Sequence, residues 1–204
     1  MEVTLQSREA LVRRGIRLSY ATIGYNFFEA IGSLIAGFLA GSVALVGFGI
    51  DSVIEVTASI AAQWRLRSDW DHERRDRAEV VTTRIVGWCF LALALYVLFD
   101  AATTLVKREA PEASTFGVWV LLLSVIVMPV LAKKKKRVAR ELRSGALEAE
   151  ATQTSLCAYL SVIGLAGVAL NAAFAWWWAD PAAALIMVPI IAAEGVEGIR
   201  GAKS

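Results

Sequence analysis

Six apolar stretches, each close to 20 residues long, constrain this chain more than any other feature of it. A helix of about 20 residues rises roughly 30 Å, the thickness of a bilayer's hydrocarbon core. The stretches fall at about 18–40, 43–64, 82–106, 116–133, 146–171 and 174–198. Each outruns the core of a signal peptide, and the polar first 17 residues lack a cleavable pattern, so all six are expected to stay. Composition agrees: 57% of residues are hydrophobic and the mean hydropathy is +0.56, against roughly 45–50% apolar in a soluble domain. A formal net charge of +2 with 20% charged residues excludes a disordered chain and a general nucleic-acid binder. Cys89 and Cys157 both lie inside apolar stretches, which excludes a disulfide framework. The expected fold is an all-α integral membrane protein, a single six-helix transmembrane domain over residues 1–204.

Basic residues set the orientation. Nineteen of the 21 Lys and Arg fall before stretch one, between two and three, between four and five, or after six, with Arg84 and Lys133 counted at the edges of stretches three and four. Lys107 and Arg108 alone fall elsewhere, between three and four. The positive-inside rule then puts both termini in the cytoplasm. Trp176, Trp177 and Trp178, beside Asp180 and Pro181, fit interfacial anchors at the outer edge, as Trp64 and Trp70 do at the inner one. Three tryptophans together could instead line a ligand pocket. The run Lys133 to Arg137 is expected to anchor the orientation, with contact to anionic lipid a secondary role.

Ionisable residues inside spans cost about 2.5–3.5 kcal/mol each on insertion scales, and so are functional candidates. Stretch two carries Asp51 and Glu55 near its middle. The i, i+4 spacing sets both carboxylates on one helix face, one turn apart. Two anions that close repel unless one holds a proton or a cation lies between them. Stretch one adds Asn26 and Glu29; stretch five adds Glu148, Glu150, Gln153 and Cys157, the last two again at i, i+4. A lone Asn or Gln is accounted for by helix-to-helix hydrogen bonding. A mid-span carboxylate pair is not, and oxygen, amide and sulfur groups on two helices are able to converge on a metal. Ser33, Gly37 and Gly41, and Ser161, Gly164 and Gly167, mark small-residue packing faces, and Gly47 and Gly49 allow close backbone approach before Asp51.

A repeat underlies these positions. Ser42, Ala44, Leu45, Asp51, Glu55 and Ser59 match Ser144, Ala146, Leu147, Gln153, Cys157 and Ser161, every pair 102 positions apart. With the orientation above, helices 2 and 5 run in opposite directions. That is the pattern of an inverted repeat with a substrate site at its interface.

The segments Gly41–Glu55, Ser144–Ser161 and Trp178–Ile186 resemble the cation diffusion facilitator family over most of the chain. The resemblance implies a divalent transition-metal transporter of the cell (inner) membrane, commonly a homodimer, exporting zinc and similar ions in exchange for protons. No cofactor is implied, and the metal, Zn2+ foremost, is the cargo. The family's helix 2 pair falls on Asp51 and Glu55, and its helix 5 His-x-x-x-Asp pair on Gln153 and Cys157. The chain departs from the pattern at both helix 5 positions. An amide oxygen is a weaker zinc ligand than imidazole, whereas a thiolate is a stronger and softer one, so zinc and cadmium are favoured. Glu150 aligns with an aspartate just cytoplasmic of the family's site and is expected along an access path. Asn26 and Glu29 are expected there or around the ligands. Many family members carry a cytosolic domain after helix 6, and none is expected here.

Other polar residues carry no such signal. His72, among Asp69, Asp71 and Glu73, fits a solvated loop, and Asp100, Glu194 and Glu197 lie near helix ends within reach of water. The expected cycle is alternating access: a cytoplasmic cation displaces protons from the ligands, and protonation on the far side helps release it. Two rival classes are a transport-inactive regulatory or scaffold subunit and a membrane-embedded enzyme. Against the enzyme, the sequence offers no metal-hydrolase His pair and no nucleophile–base constellation.

Overall fold

The computed structural model describes residues 5–67, 72–108, 111–142 and 145–201. They form six α-helices: α1 (Leu5–Ala40), α2 (Val43–Arg67), α3 (His72–Lys107), α4 (Thr115–Leu142), α5 (Gly145–Phe174) and α6 (Ala179–Gly201). Each contains a segment long and apolar enough to cross a membrane, so the protein is a multi-pass integral membrane protein. Asp69, Trp70, Asp71 and Ser144 lie outside the described residues, as do the side chains of Trp64, His72 and Glu73.

Several helices run past the apolar stretches that announce them. α1 begins at Leu5 rather than 18, α3 at His72 rather than 82, and α4 continues through Lys133–Arg140 to Leu142. Hydropathy measures the hydrocarbon thickness, whereas Arg and Lys are good helix formers and carry the helix into the polar layer. The sixth stretch errs the other way. Phe174 closes α5, and residues 175–178 form a turn in which Ala175 takes a φ of 53° and its N–H bonds the Asn171 carbonyl at 2.9 Å. Trp176 and Trp178 stack within this turn, ring centroids 5.4 Å apart. α6 then starts with Asp180 and Pro181 in its first turn, where a carboxylate suits the helix dipole and proline's missing N–H costs nothing.

α2 is the central helix. It packs against α1, α3, α5 and α6, and 72% of its apolar window is buried, against 28–44% for the other five. The remaining packed pairs are α3 with α6, α4 with α5, α1 with α4 and α5 with α6. Outward faces carry the large apolar side chains, among them Phe28, Phe38, Leu39, Leu95, Phe99, Val106 and Trp119, as a lipid-facing surface requires.

The link from α1 to α2 is tight. Gly41 adopts φ +63°, and the Ser42 N–H reaches back to the Gly37 carbonyl at 3.0 Å, closing α1 with a Schellman turn. Gly41 therefore serves the turn rather than the packing face expected of it. Ser42 then caps α2: its Oγ accepts from the Leu45 N–H at 3.1 Å and donates to Asp180 Oδ1 at 2.6 Å. That bond ties the start of α2 to the start of α6. Gly37 and Gly49 bring α1 and α2 together, Gly37 against Val46 and Gly49 against Leu34.

Candidate metal centre

Central placement forces α2 to bury whatever its mid-span carries. Asp51 and Glu55, one turn apart, are 4% and 2% exposed. Facing them on α5 is Cys157, equally enclosed and within reach of both carboxylates. α1 supplies two more groups. The Cys157 thiol points at Glu29 Oε2, 3.8 Å away, and the same oxygen accepts from Ser52 Oγ at 2.9 Å. Asn26, fully buried, faces Glu55. Tyr25 and Ser124 flank Glu29.

Gln153 takes a different position. It is half-buried and lines a narrow crevice with Asp51, Glu55, Phe90, Leu156, Leu160, Ile190, Ile191 and Glu194. The crevice runs between α2, α3, α5 and α6 and is nearly closed, with a cavity volume of only about 10 Å³, room for about one water. Three carboxylates line it, and the third, Glu194 of α6, was set aside by sequence reasoning as a helix-end group. Glu150 is the converse case. Rather than lining this crevice, it is enclosed against α4 and α1, its Oε1 2.8 Å from Lys135 Nζ and its Oε2 accepting from Ser19 Oγ at 2.9 Å.

Lys135 is the second residue that sequence reasoning passed over. Within a run of four lysines it is the one that is fully buried, whereas Lys133, Lys134 and Lys136 are exposed. A signal existed: the buried face of α4 runs Gly117, Leu121, Ser124, Met128, Ala132, and the next step of that helical period is Lys135.

The electrostatics follow from burial. Glu29, Asp51, Glu55 and Glu150 are four enclosed carboxylates, and Lys135 is the only fully buried cation among the described residues. Glu29 Oε1, Glu55 Oε2 and both polar atoms of Asn26 are enclosed and make no hydrogen bond of good geometry. Each such atom costs about 1–3 kcal/mol. The cluster they form is rich in negative charge and gathers carboxylate oxygens, an amide and a thiol, donor types that suit a divalent cation. No three His, Cys, Asp or Glu side chains among the described residues stand close enough to clasp one ion as they are. Asp51, Glu55, Cys157 and Glu29 are neighbours in a looser arrangement.

Comparison with known proteins agrees with this chemistry. Residues 19–203 match the family model described as the cation efflux transmembrane domain. The chain is similar to the manganese efflux system protein MneS of Bacillus subtilis (strain 168), 27% identical over 169 residues, covering 80% of this chain and 58% of that one. It is similar to two cadmium, cobalt and zinc/H(+)-K(+) antiporters. That of Bacillus velezensis is 29% identical over 188 residues, covering 84% and 55%. That of Bacillus subtilis (strain 168) is 26% identical over 202 residues, covering 92% and 61%. The chain thus spans little more than half the length of these curated relatives. With five of its six helices and most of α1 inside the match, the chain belongs to the cation efflux family, and residues 19–203 are its transmembrane domain.

Proposed function

We propose that this protein moves divalent transition-metal ions across the cell membrane, with Asp51, Glu55, Cys157 and Gln153 as the ligand set and Glu29 and Asn26 beside it. The observation that carries the reading is the enclosed cluster at mid-bundle, where three helices supply carboxylates, an amide and a thiol with unpartnered oxygen atoms. A membrane protein does not enclose such groups without a cation or protons to balance them.

Zinc and cadmium are the proposed cargo, on the strength of the Cys157 sulfur, which favours thiophilic ions. Relatives named for manganese, cadmium, cobalt and zinc bracket the same class. Protons are the proposed counter-ion. The ligands must be deprotonated to bind metal, so cation and proton compete for the same atoms. In the proposed cycle the ion reaches Asp51 from the crevice lined by Gln153 and Glu194 on the cytoplasmic side. The bundle then rocks, and protonation on the other side releases the ion and lets the empty carrier return. The two termini are cytoplasmic in this scheme, helices 2 and 5 form an inverted repeat, and the working unit is a homodimer.

Equilibrium binding tests the site. Purified protein in detergent should bind Zn2+ and Cd2+, and Asp51→Ala should abolish or strongly weaken both. Unchanged binding in Asp51→Ala would refute the site. Binding without flux in liposomes would instead mark a transport-inactive regulatory or scaffold subunit.

A further inference from the structure

The cycle above gives Lys135 no part, yet its surroundings are specific. Lys135 Nζ lies 2.8 Å from Glu150 Oε1 and donates to Thr154 Oγ1 at 3.0 Å. Thr154 Oγ1 lies 2.6 Å from Glu55 Oε1 and 3.0 Å from the Glu150 carbonyl. A hydroxyl has one proton to give and lone pairs to accept with. The ammonium occupies a lone pair, so the proton goes to the nearer and charged acceptor, Glu55 Oε1. Charge-assisted bonds of this kind are the short, strong ones. One oxygen of Glu55 is thereby held, while Oε2 stays enclosed and without a hydrogen bond. Glu150 completes the mount: Ser19 fixes its second oxygen, and its first fixes Lys135.

We propose that Lys135 is a positioning residue for the ion site. Acting through Thr154, it holds Glu55 by Oε1 and leaves Oε2 as the oxygen offered to the cation. The proposal rests on the metal-transport reading above. Its plain rival is that Lys135 only neutralises Glu150, as a buried ion pair in any helix bundle does.

The two roles separate when both charges are removed at once. Lys135→Met combined with Glu150→Gln removes one buried charge of each sign, so the net buried charge is unchanged and the fold should be retained. The full chain is reconstituted in liposomes and Zn2+ flux is measured for KM and maximal rate, with thermal stability in detergent as the folding control. A positioning role predicts that KM rises about 10- to 100-fold, as when an outer partner of a metal ligand is lost. Maximal rate should stay within about threefold. Thr154→Val should raise KM similarly, and combining it with the neutralised pair should add nothing further, because all act through one hydrogen bond. Thr154→Ser should restore the wild-type KM. A wild-type KM in the neutralised pair, or additive effects of the two changes, overturns the proposal. Should the neutralised pair fail to fold, Thr154→Val against Thr154→Ser decides alone, and equal KM in both overturns it. Asp51→Ala is run alongside. If it abolishes flux while the neutralised pair keeps its KM, the site reading stands and the Lys135 role falls. If it transports as well as wild type, the site reading itself falls.

Discussion

Cys157 Sγ and Glu29 Oε2 lie 3.8 Å apart in the interior of the bundle, joining residues 128 positions apart. α1 thereby adds a carboxylate to the cluster that α2 and α5 define. Glu29→Gln should weaken Zn2+ binding about 10- to 100-fold, the range for loss of a group supporting a metal ligand. The fold should survive, because a neutral amide is easier to enclose than a carboxylate. Equilibrium binding to purified protein is the check, and wild-type affinity in a folded Glu29→Gln would exclude α1 from the site.

The helix 5 donors should set metal preference. Cys157→Asp should shift relative affinity from cadmium toward harder ions such as manganese, and Cys157→Ser should weaken zinc and cadmium together. Gln153→His should strengthen zinc by supplying a nitrogen donor. If Cys157 is only a small buried residue, serine is mild and selectivity is unchanged. Competition between zinc, cadmium and manganese across the three variants reads the result.

How far the sequence led depends on what each signal measures. Hydropathy located six helices because a bilayer demands about 20 apolar residues. It misplaced the ends of α1, α3 and α4, because the Arg- and Lys-rich flanks stay helical outside the hydrocarbon. The spacing of Asp51 and Glu55 announced two carboxylates on one helix face. Gln153 and Cys157, at the same spacing, have different surroundings, Gln153 in the crevice and Cys157 against Glu29. Lys135 and Glu194 were not legible. A lysine among four lysines looks solvated until the rotation of α4 is known, and Glu194 looks like a helix-end acid until α6 is docked beside Asp51. Glu150 was expected along an access path; it is instead enclosed against Lys135 and Ser19, partners on other helices that no local pattern announces.

The α3–α6 crossing yields a stability prediction independent of ions. A Cβ on Gly87 would sit 2.8 Å from the Gly195 carbonyl oxygen, and one on Gly195 would sit 2.9 Å from that of Gly87. Gly87→Ala should therefore cost about 1–3 kcal/mol through overpacking. Gly24→Ala is the contrast, since nothing lies within 4 Å of its Cβ. That change should be neutral or stabilising by up to about 1 kcal/mol, because Gly is a poor residue inside a helix. Melting in detergent separates them, and equal melting temperatures would refute the close crossing.

Topology is the simplest test of the charge argument. Tags at both termini should be accessible from the cytoplasm, and one inserted beside Pro111 from outside. Both termini accessible only from outside would refute the charge argument, and termini on opposite sides would remove the basis for opposed helices 2 and 5.

In the proposed cycle the enclosed cluster around Asp51 and Glu55 carries ions across the membrane. The direct measurement is Zn2+ flux into proteoliposomes under an imposed proton gradient, comparing wild type with Asp51→Asn and Glu55→Gln. Neutralising a carboxylate eases membrane insertion, so protein levels should hold. Wild type should show flux that depends on both the metal and the gradient, and each variant should lose it. Flux near the wild-type rate in both variants would contradict the account.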